Sequence, residues 1–253
     1  MNQTQVRHRL SIIVPTLNEA GGIAGLLADL DPLRHRGHEV IVVDGGSDDP
    51  TAAIAAPRAD RVVTAARGRA RQMNAGARLA SGDVLWFLHA DSRVPPDAAA
   101  AVIEACGTGC AWGRFDVRLS GKQALLRVIE RLMNLRSRLT GIATGDQGIF
   151  VTQAAFEAVG GFPEIALMED VALSKALRRH SAPACIRRPR LLASSRRWEE
   201  HGILPTMILM WRLRLAFALG AAPVSYTHLR AHETTASISY AVFCLKKGGG
   251  GGG

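Results

Sequence analysis

The feature that most constrains the fold is an alternation of short apolar runs and helical patterns over the first 100 residues. The runs "LSIIVPT", "HEVIVVD", "DRVVTA" and "DVLWFLHAD" are short, apolar and mostly β-branched, as buried strands are. The segment after the first run places apolar residues at helical spacing: Ile23, Leu26, Leu27 and Leu30. The string "RGRARQMNAGARLASG" predicts a second helix, closed by Gly82. Strands that alternate with helices predict an α/β fold with a mostly parallel, Rossmann-like sheet.

Polar side chains follow three of these predicted strands. Thr16 to Glu19 follow the first, Asp44 ends the second, and His89 to Asp91 end the fourth. Parallel sheets bind their ligands outside the carboxyl ends of the strands, so we expect these side chains to converge on one site. Ser47 and Asp48 are placed to cap a helix that begins near Pro50.

The second half of the chain has a less regular pattern. "AWGRFDVRLS" and "GDQGIFVT" predict strands, and residues 122–139 predict an amphipathic helix. "QAAFEAVGG" and "LMEDVALSKALRRH" predict two more helices, the second opening with two acids. Residues 203–219 are strongly apolar but carry two arginines and a proline, so we expect either a terminal helix packed on the domain or a segment at a membrane interface.

The C-terminal stretch differs in composition from the rest. Residues 223–253 continue none of the earlier patterns, resemble translated adapter sequence and end in six glycines. We therefore expect one catalytic domain over residues 9–222, followed by a tail that is non-native or disordered.

Charge and composition limit the class of partner. The chain has 253 residues, 47% of them hydrophobic, which is enough for a globular domain with a sizeable core. A net charge of +9 indicates an anionic partner such as a phosphate ester or a membrane surface, although an arginine-rich composition alone gives the same charge. The arginines are scattered and no known nucleic-acid-binding motif is present, so we expect no nucleic acid.

The cysteines and the N-terminus indicate the compartment. Cys106, Cys110, Cys185 and Cys244 form no CxxC pair, which favours reduced thiols over a zinc site. The first residues contain no apolar signal core. The sequence therefore predicts a cytoplasmic protein, associated with the inner face of the membrane if residues 203–219 lie at the interface.

Seven short motifs occur in one order along the chain: "VPTLNE", "VVDGGSDD", "GRARQMNAG", "FLHADS", "TGDQGIFV", "LMEDVALS" and "SSRRW". Together they resemble the family-2 glycosyltransferases of the GT-A fold, over about residues 10–223. The closer resemblance is to a bacterial subgroup, the radical-SAM/selenodomain-associated transferases, which carries HAD in place of DxD together with GDQG, MEDV and RRW. The resemblance implies a transfer from a nucleotide-diphosphate sugar, with UDP- or GDP-sugars as donors.

The resemblance also implies a donor site that uses a divalent metal, Mg²⁺ or Mn²⁺. A metal clamps phosphate oxygens and neutralises the charge of the departing diphosphate. Asp91 matches the last acid of DxD and is the expected metal ligand. His89 stands where the first acid of DxD usually is. It could be a second metal ligand, a contact to the ribose or phosphate, or a histidine that is hydrogen-bonded to the backbone. The residues expected around the nucleotide sugar are Pro15, Thr16, Asn18, Glu19, Asp44, Arg69, Gln72, His89 and Asp91.

Two of these expectations have structural alternatives. Asp44 matches the family's contact to the base, yet an acid at a strand end also serves as a turn residue. Arg67, Arg69 and Arg71 surround a helix start that suits a diphosphate, and we select Arg69 and Gln72. A solvated basic face explains the same arginines. Gly45 stands where many members of the family have a second Asp.

The catalytic acid is expected in the "ED" pair. An inverting transfer needs a base that takes the proton of the acceptor hydroxyl. The resemblance assigns this role to Asp170 with Glu169 in support, although two acids also suit the first turn of any helix. The acceptor or diphosphate side is expected to include Asp146, Gln147, Arg196, Arg197 and Trp198. The acceptor itself is an unidentified hydroxyl or carboxylate compound, lipid-like if the apolar segment contacts it; some relatives carry a carotenoid label.

Three other functions fit parts of the pattern. A dinucleotide-dependent dehydrogenase would need GxGxxG after the first strand, where this chain has "PTLNEAGG". A nucleotidyltransferase of similar fold would share the metal site but not the ED pair and the RRW motif. A catalytically degenerate nucleotide-sugar-binding protein is suggested by His89 and Gly45.

Overall fold

The computed structural model describes residues 8–218. Residues 219–222 of the expected domain and the expected tail 223–253 lie outside this range. Seven strands are described: β1 Leu10–Thr16, β2 Glu39–Asp44, β3 Arg61–Thr64, β4 Val84–Phe87, β5 Trp112–Leu119, β6 Phe150–Thr152 and β7 Ala184–Ala193. The helices of this range are α1 Ile23–His35, α2 Thr51–Ala55, α3 Arg69–Leu79, α4 Ala98–Gly107, α5 Ala124–Thr140, α6 Gln153–Ala158, α7 Glu169–His180, α8 Arg196–His201 and α9 Ile203–Ala218. A short 3-10 turn spans Gly145–Gln147.

The strands form one mostly parallel sheet in the order β3-β2-β1-β4-β6-β5-β7. β6 is antiparallel to both of its neighbours, whereas β1 to β4 run parallel and β5 pairs in parallel with β7. This confirms the predicted α/β class with a Rossmann-like sheet. The parallel order 3-2-1-4 brings the ends of β1, β2 and β4 to one edge of the sheet.

Helices cover both faces of the sheet, which explains why its strands are apolar throughout. Alternate residues of β1 enter two different cores: Ile12 and Val14 face α1, α4 and α5, whereas Ile13 faces α3 and α7. The four apolar residues predicted on α1 are fully buried. Burial on both faces fixes the register of each strand, and with it the position of the polar residues that follow.

Some local predictions were wrong. α3 ends at Leu79, three residues before Gly82; a Cβ on Gly82 would lie 2.6 Å from the Arg9 carbonyl oxygen, so this glycine is required by a close approach to β1. α2 begins at Thr51 without a cap from Ser47 or Asp48; the Asp49 carboxylate accepts from the Thr51 amide instead. β4 ends at Phe87, so His89 and Asp91 lie in the following turn.

The apolar segment near the C-terminus forms α9, and its Leu213 packs against Met168 and Val171 at the start of α7. Within residues 8–218 no helix has the length and apolar character needed to cross a membrane.

Candidate active site

The ends of β1 and β2 are joined by a hydrogen-bonded carboxylate. Thr16 and Asp44 are paired in the register of the two strands, and the Thr16 hydroxyl donates to Asp44 Oδ1 at 3.2 Å. The amides of Gly46 and Ser47 donate to Asp44 Oδ2 at 2.9 and 2.8 Å, and the Ser47 hydroxyl donates to Oδ1. Asp44 is buried. Each of its oxygens therefore accepts two hydrogen bonds, which come from Thr16 and from the turn that follows β2. This is the structural role that was the alternative to a contact with the nucleotide base.

Gln72 lies behind this edge. Its side chain is fully buried and its amide donates to the carbonyls of Thr16 and Val43 at 2.7 and 2.8 Å. Gly45 covers it closely, since a Cβ on Gly45 would lie 3.2 Å from the Gln72 amide. Gln72 therefore clamps the two strand ends together, and Gly45 is fixed by this packing.

The loop after β1 is tied to the turn after β2. Asn18 has a left-handed backbone, with φ of 55°, and is exposed. Its amide donates to the Ser47 hydroxyl at 2.9 Å, and its side-chain oxygen accepts from the Asp48 amide at 2.8 Å. Pro15 is buried within β1 beside Val43. The loop that carries Glu19 is thus held in place by the neighbouring strand.

Glu19 and Asp91 bring two carboxylates together at this edge. Burial, and next the charge of Asp91, raise the pKa of Glu19, while Arg196 opposes this shift. Glu19 Oε2 is buried and accepts no hydrogen bond; the Arg196 guanidinium lies 3.7 Å from it. Asp91 is half-buried beside Gly22, on which a Cβ would lie 3.3 Å from the Asp91 Cα. We call Thr16, Asn18, Glu19, Asp44 and Asp91 the strand-end edge.

A second group of site residues forms where α3, the 3-10 turn and α7 meet. Arg69 contacts His89 Nε2 through its guanidinium and lies 3.4 Å from the Glu169 carboxylate. Gly145 passes directly over this contact, since a Cβ there would lie 2.5 Å from His89 Nε2 and 2.6 Å from the Arg69 guanidinium. We call Arg69, His89, Gly145, Glu169 and Asp170 the helix junction.

The two acids of the junction have different surroundings. Glu169 is 5% exposed, and burial raises its pKa; Arg69 opposes this shift and Asp170 adds to it. Asp170 is partly exposed, and its carboxylate accepts from the amides of Gly145 at 2.6 Å and Val171 at 2.7 Å. These amides hold the Asp170 carboxylate in one orientation at the start of α7.

A small cleft connects the junction with the end of β4. Its wall includes Arg69, Phe87, His89, Gly145, Phe162 and Asp170. Of the three arginines around the start of α3, Arg69 lines this cleft. Arg67 donates to the carbonyls of Gly45 and Gly46, and Arg71 is paired with Glu164 at 3.0 Å.

Other predicted residues lie away from the cleft wall. Gln147 is fully buried, and its side chain closes a capping box with Thr144, whereas Asp146 beside it is partly exposed. Trp198 is partly buried against the main core, and Arg196 is the member of the RRW motif that reaches the strand-end edge. The side chain of Arg197 lies outside the described part of the chain.

Sequence reasoning did not select Gly145 as a site residue. The "TGDQG" motif drew attention to the following Asp146 and Gln147, but the amide of Gly145 is the group that contacts Asp170. A glycine that directly precedes two polar residues was the available signal. Only the folded arrangement shows that a side chain there would displace Arg69 and His89.

Comparison with known proteins identifies the family. The model for glycosyl transferase family 2 matches residues 11–156, more than half of the chain. The chain belongs to glycosyl transferase family 2.

This transferase-family chain also resembles individual curated proteins. Proteins described as uncharacterized glycosyltransferases in two strains of Mycobacterium tuberculosis are each 32% identical over 164 residues, 60% of this chain and 62% of theirs. The dolichol-phosphate mannosyltransferase of Pyrococcus furiosus is 31% identical over 108 residues, 40% of this chain and 31% of its own. The chain thus spans under two thirds of the length of these relatives.

Solved structures share the fold of this family-2 chain. Staphylococcus aureus TarS, residues 1–349, aligns with a TM-score of 0.61 at 19% identity, over 74% of this chain and 60% of that one. The mannosyltransferase PcManGT of Pyrobaculum calidifontis, in complex with GDP-Man and Mn²⁺, aligns with a TM-score of 0.56 at 24% identity, over 74% and 56%. At these identities the likeness supports the GT-A fold.

The carboxylate oxygens at the strand-end edge fit a metal ion whose other ligands come from the substrate. Within residues 8–218 no three His, Cys, Asp or Glu side chains are grouped closely enough to hold an ion by themselves. Mg²⁺ in nucleotide sites is commonly held by one or two carboxylates together with substrate phosphates. Asp91 and the unbonded Oε2 of Glu19 supply such a pair. His89 Nε2 would first have to leave Arg69.

Proposed function

We propose that this chain transfers a sugar from a nucleotide-diphosphate donor to a hydroxyl or carboxylate acceptor, with inversion at the anomeric carbon. The observation that carries the proposal is the position of Asp170. Its partly exposed carboxylate is held by two amides on the wall of a cleft that also includes Arg69 and His89. This arrangement brings a carboxylate and a guanidinium to the end of β4, and open α/β sheets bind their ligands outside the carboxyl ends of their strands.

The donor would lie along the strand-end edge. Asn18 and the buried pair of Thr16 and Asp44 form a rigid wall for the base and ribose, with Pro15 beneath it. Arg69, at the first residue of α3, is placed for the diphosphate, where helix amides and a guanidinium both favour anions. Among structural neighbours, TarS has been solved with UDP-GlcNAc and PcManGT with GDP-Man, which supports a UDP- or GDP-sugar as donor.

A divalent metal would be held by Asp91, with Glu19 as the neighbouring carboxylate. When bound, Mg²⁺ or Mn²⁺ supplies charge neutralisation for the departing diphosphate. Mn²⁺ is present in PcManGT and in glucosyl-3-phosphoglycerate synthase from Mycobacterium tuberculosis, which supports a metal in this family. Arg196 lies 3.7 Å from Glu19, so we expect its position to change with the charge at this edge. His89 contacts Arg69 and would position it.

Asp170 would act as the base and Glu169 as a positioning residue. A base must be accessible to the acceptor proton, and the partly exposed Asp170 carboxylate lines the cleft in which an acceptor would lie. Glu169 is buried, its pKa is raised, and its carboxylate faces Arg69. We infer that Glu169 orients Arg69 toward the diphosphate. Asp146 directly follows Gly145 in the 3-10 turn and is the proposed acceptor contact, and Gln147 supports that turn from inside.

Finer parts of the proposal rest on the sequence. They include membership of the subgroup with HAD, GDQG, MEDV and RRW, a catalytic domain over residues 9–222, and a non-native or disordered tail beyond it. A cytoplasmic location and a membrane contact through residues 203–219 belong here too, as does a role for Arg197 and Trp198 on the acceptor side. The carotenoid label has no support among the relatives named above.

The proposal is tested by thermal unfolding with a panel of nucleotide sugars, with and without Mn²⁺, followed by nucleotide release from any donor that stabilises the chain. We expect one class of donor to raise Tm in the presence of Mn²⁺, and Asp91→Ala to abolish this rise. We also expect the wild-type chain to release nucleotide slowly from this donor, and Asp170→Asn to abolish the release. No shift with any donor would contradict the transferase proposal.

A catalytically degenerate donor-binding protein is the second candidate, favoured by the engagement of His89 with Arg69. It predicts a rise in Tm without nucleotide release under any condition. The same panel therefore separates the two functions.

A further inference from the structure

The most unusual surface of the molecule is one face of α5. Among the side chains whose burial the structure describes, seven large hydrophobic ones are exposed, and five of these lie on this helix. They are Leu125, Val128, Leu132, Leu135 and Leu139, with exposed fractions of 41, 48, 50, 50 and 78%. Their spacing of three and four residues places them in one continuous row along the helix. Exposed apolar rows of this kind mark a contact surface.

The charges beside the row are of one sign. α5 carries Arg127, Arg131, Arg136 and Arg138, and Lys122 lies just before it. On a helical projection the arginines fall on both sides of the apolar row. The helix has a single acid, Glu130, which is buried and paired with Arg127 and Arg190. Arg138 is bound to the buried Asp116, Arg127 donates to the carbonyls of Leu119 and Gly121, and two guanidinium nitrogens of Arg136 are buried. The exposed surface of α5 is therefore apolar along its centre, basic at Lys122 and Arg131, and without an exposed carboxylate on the helix.

The opposite face of α5 is anchored in the domain. Leu126 and Ile129 enter the main core, and Asn134 bonds both the amide and the carbonyl of Val117 on β5 at 2.9 Å. Packing of this kind leaves the helix no freedom to rotate its apolar row inward. The exposed row is thus a fixed property of the folded chain.

We propose that α5 binds the surface of a membrane that contains anionic lipids, with its leucine row inserted at the headgroup boundary and with Lys122 and Arg131 at the phosphates. A helix with an apolar face and basic margins lies in the interface in this way. This inference concerns a different surface from residues 203–219 and does not depend on the proposed transferase activity. The chain's net charge of +9 favours the same partner.

A second copy of the chain fits this surface less well. A twofold contact would bring Lys122 and Arg131 of one copy toward the like charges of the other. A stable interface also buries about 800 Å² on each partner, more than a single row of five side chains along one helix provides. Charge therefore favours an anionic lipid surface over self-association.

The position of α5 gives such binding a consequence for the site. The helix ends at Thr140, and only residues 141–144 separate it from Gly145, whose amide contacts Asp170. Ile142 of this connection packs with Met168 and Val171 at the start of α7. A membrane bound along α5 would thus lie next to the acceptor side of the cleft, as a lipid-embedded acceptor would require.

The test is co-sedimentation of the full chain with two kinds of vesicle. One contains phosphatidylcholine alone, and the other contains about 30% phosphatidylglycerol, which makes its surface strongly anionic. We expect binding to the anionic vesicles, weaker binding at high salt, and at least about a tenfold loss of affinity in Leu132→Asp/Leu135→Asp. The matched control is Leu79→Asp, on an exposed leucine of α3. Arg131→Glu should weaken binding more than Arg78→Glu, which changes net charge equally on α3.

Three results would overturn the proposal. The first is absence of binding by the folded wild-type chain, and the second is equal binding by the α5 and α3 variants. The third is a dimer, measured by light scattering without lipid, that Leu132→Asp/Leu135→Asp dissociates. If thermal unfolding shows that the double substitution prevents folding, the comparison of Arg131→Glu with Arg78→Glu decides the question.

Discussion

The strand-end edge and the helix junction are built in opposite ways. At the edge, Asp44 is buried with all its acceptor positions filled, and Gln72 holds the two strands from behind. At the junction, a partly exposed acid, Asp170, lies beside a buried one, Glu169, whose pKa is raised. The Thr16–Asp44 part of the edge therefore has its hydrogen bonds filled, while Glu19 beside it has a raised pKa. The junction places two neighbouring acids in unequal surroundings, as proton transfer requires.

The largest expected effect is at the junction. Asp170→Asn removes the proposed base but preserves its size, so we expect nucleotide release to fall about 100- to 10,000-fold. Asp97→Asn, on an exposed acid before α4, is the matched control and should leave the rate unchanged. A rate in Asp170→Asn within about twofold of wild type would remove Asp170 from the mechanism.

Gly145→Ala should have the next largest effect. The added Cβ would meet the ends of the Arg69 and His89 side chains, which can move aside without unfolding the chain. We expect nucleotide release to fall about 10- to 100-fold with little change in Tm, because misplacement of a positioning group costs rate. Gly107→Ala, where a Cβ meets nothing within 4 Å, is the control. A large loss of Tm in Gly145→Ala would instead indicate a structural role.

At the strand-end edge the expected effect is on stability. Gln72→Leu leaves the carbonyls of Thr16 and Val43 without their side-chain donor in a buried site, so we expect the free energy of unfolding to fall by about 1 to 3 kcal/mol. Urea unfolding measures this. Gln153→Leu, on a partly exposed glutamine, should change it by less than about 0.5 kcal/mol. Equal changes would mean that Gln72 is not a clamp.

The smallest expected effect concerns pH. Because the folded state raises the pKa of Glu169, it binds this proton more tightly than the unfolded chain does. The stability that Glu169 contributes is therefore present at low pH and lost as pH rises from 4.5 through the raised value. Glu169→Gln should raise Tm at pH 7, and this gain should shrink toward pH 4. A pH-independent change, or the same behaviour in the exposed Glu157→Gln, would contradict this assignment.

The fold could be predicted largely from the sequence because burial on both faces makes the strands of the first half continuous apolar runs. β7 was not predicted. It contains three arginines and a proline, as an edge strand can, and so lacks the apolar pattern that identified the other strands.

The sequence drew attention to many residues of the candidate site, although not to Gly145, and it did not indicate their contacts. Strand ends and motifs brought Asp44, Gln72 and Asp91 to attention, because chain order fixes which residues reach the edge. Which of them face solvent depends on hydrogen bonds between distant segments, such as that between Gln72 and Thr16, 56 residues apart. No local pattern in the sequence encodes those contacts.

The central claim, that the edge binds donor and the junction performs the transfer, is tested most directly by calorimetric titration of the stabilising donor with Mn²⁺ into wild type, Asp91→Asn and Asp170→Asn. We predict that Asp170→Asn binds donor within about twofold of wild type, whereas Asp91→Asn binds at least about tenfold more weakly. Equal loss of affinity in both variants, or loss in Asp170→Asn alone, would contradict this division of roles.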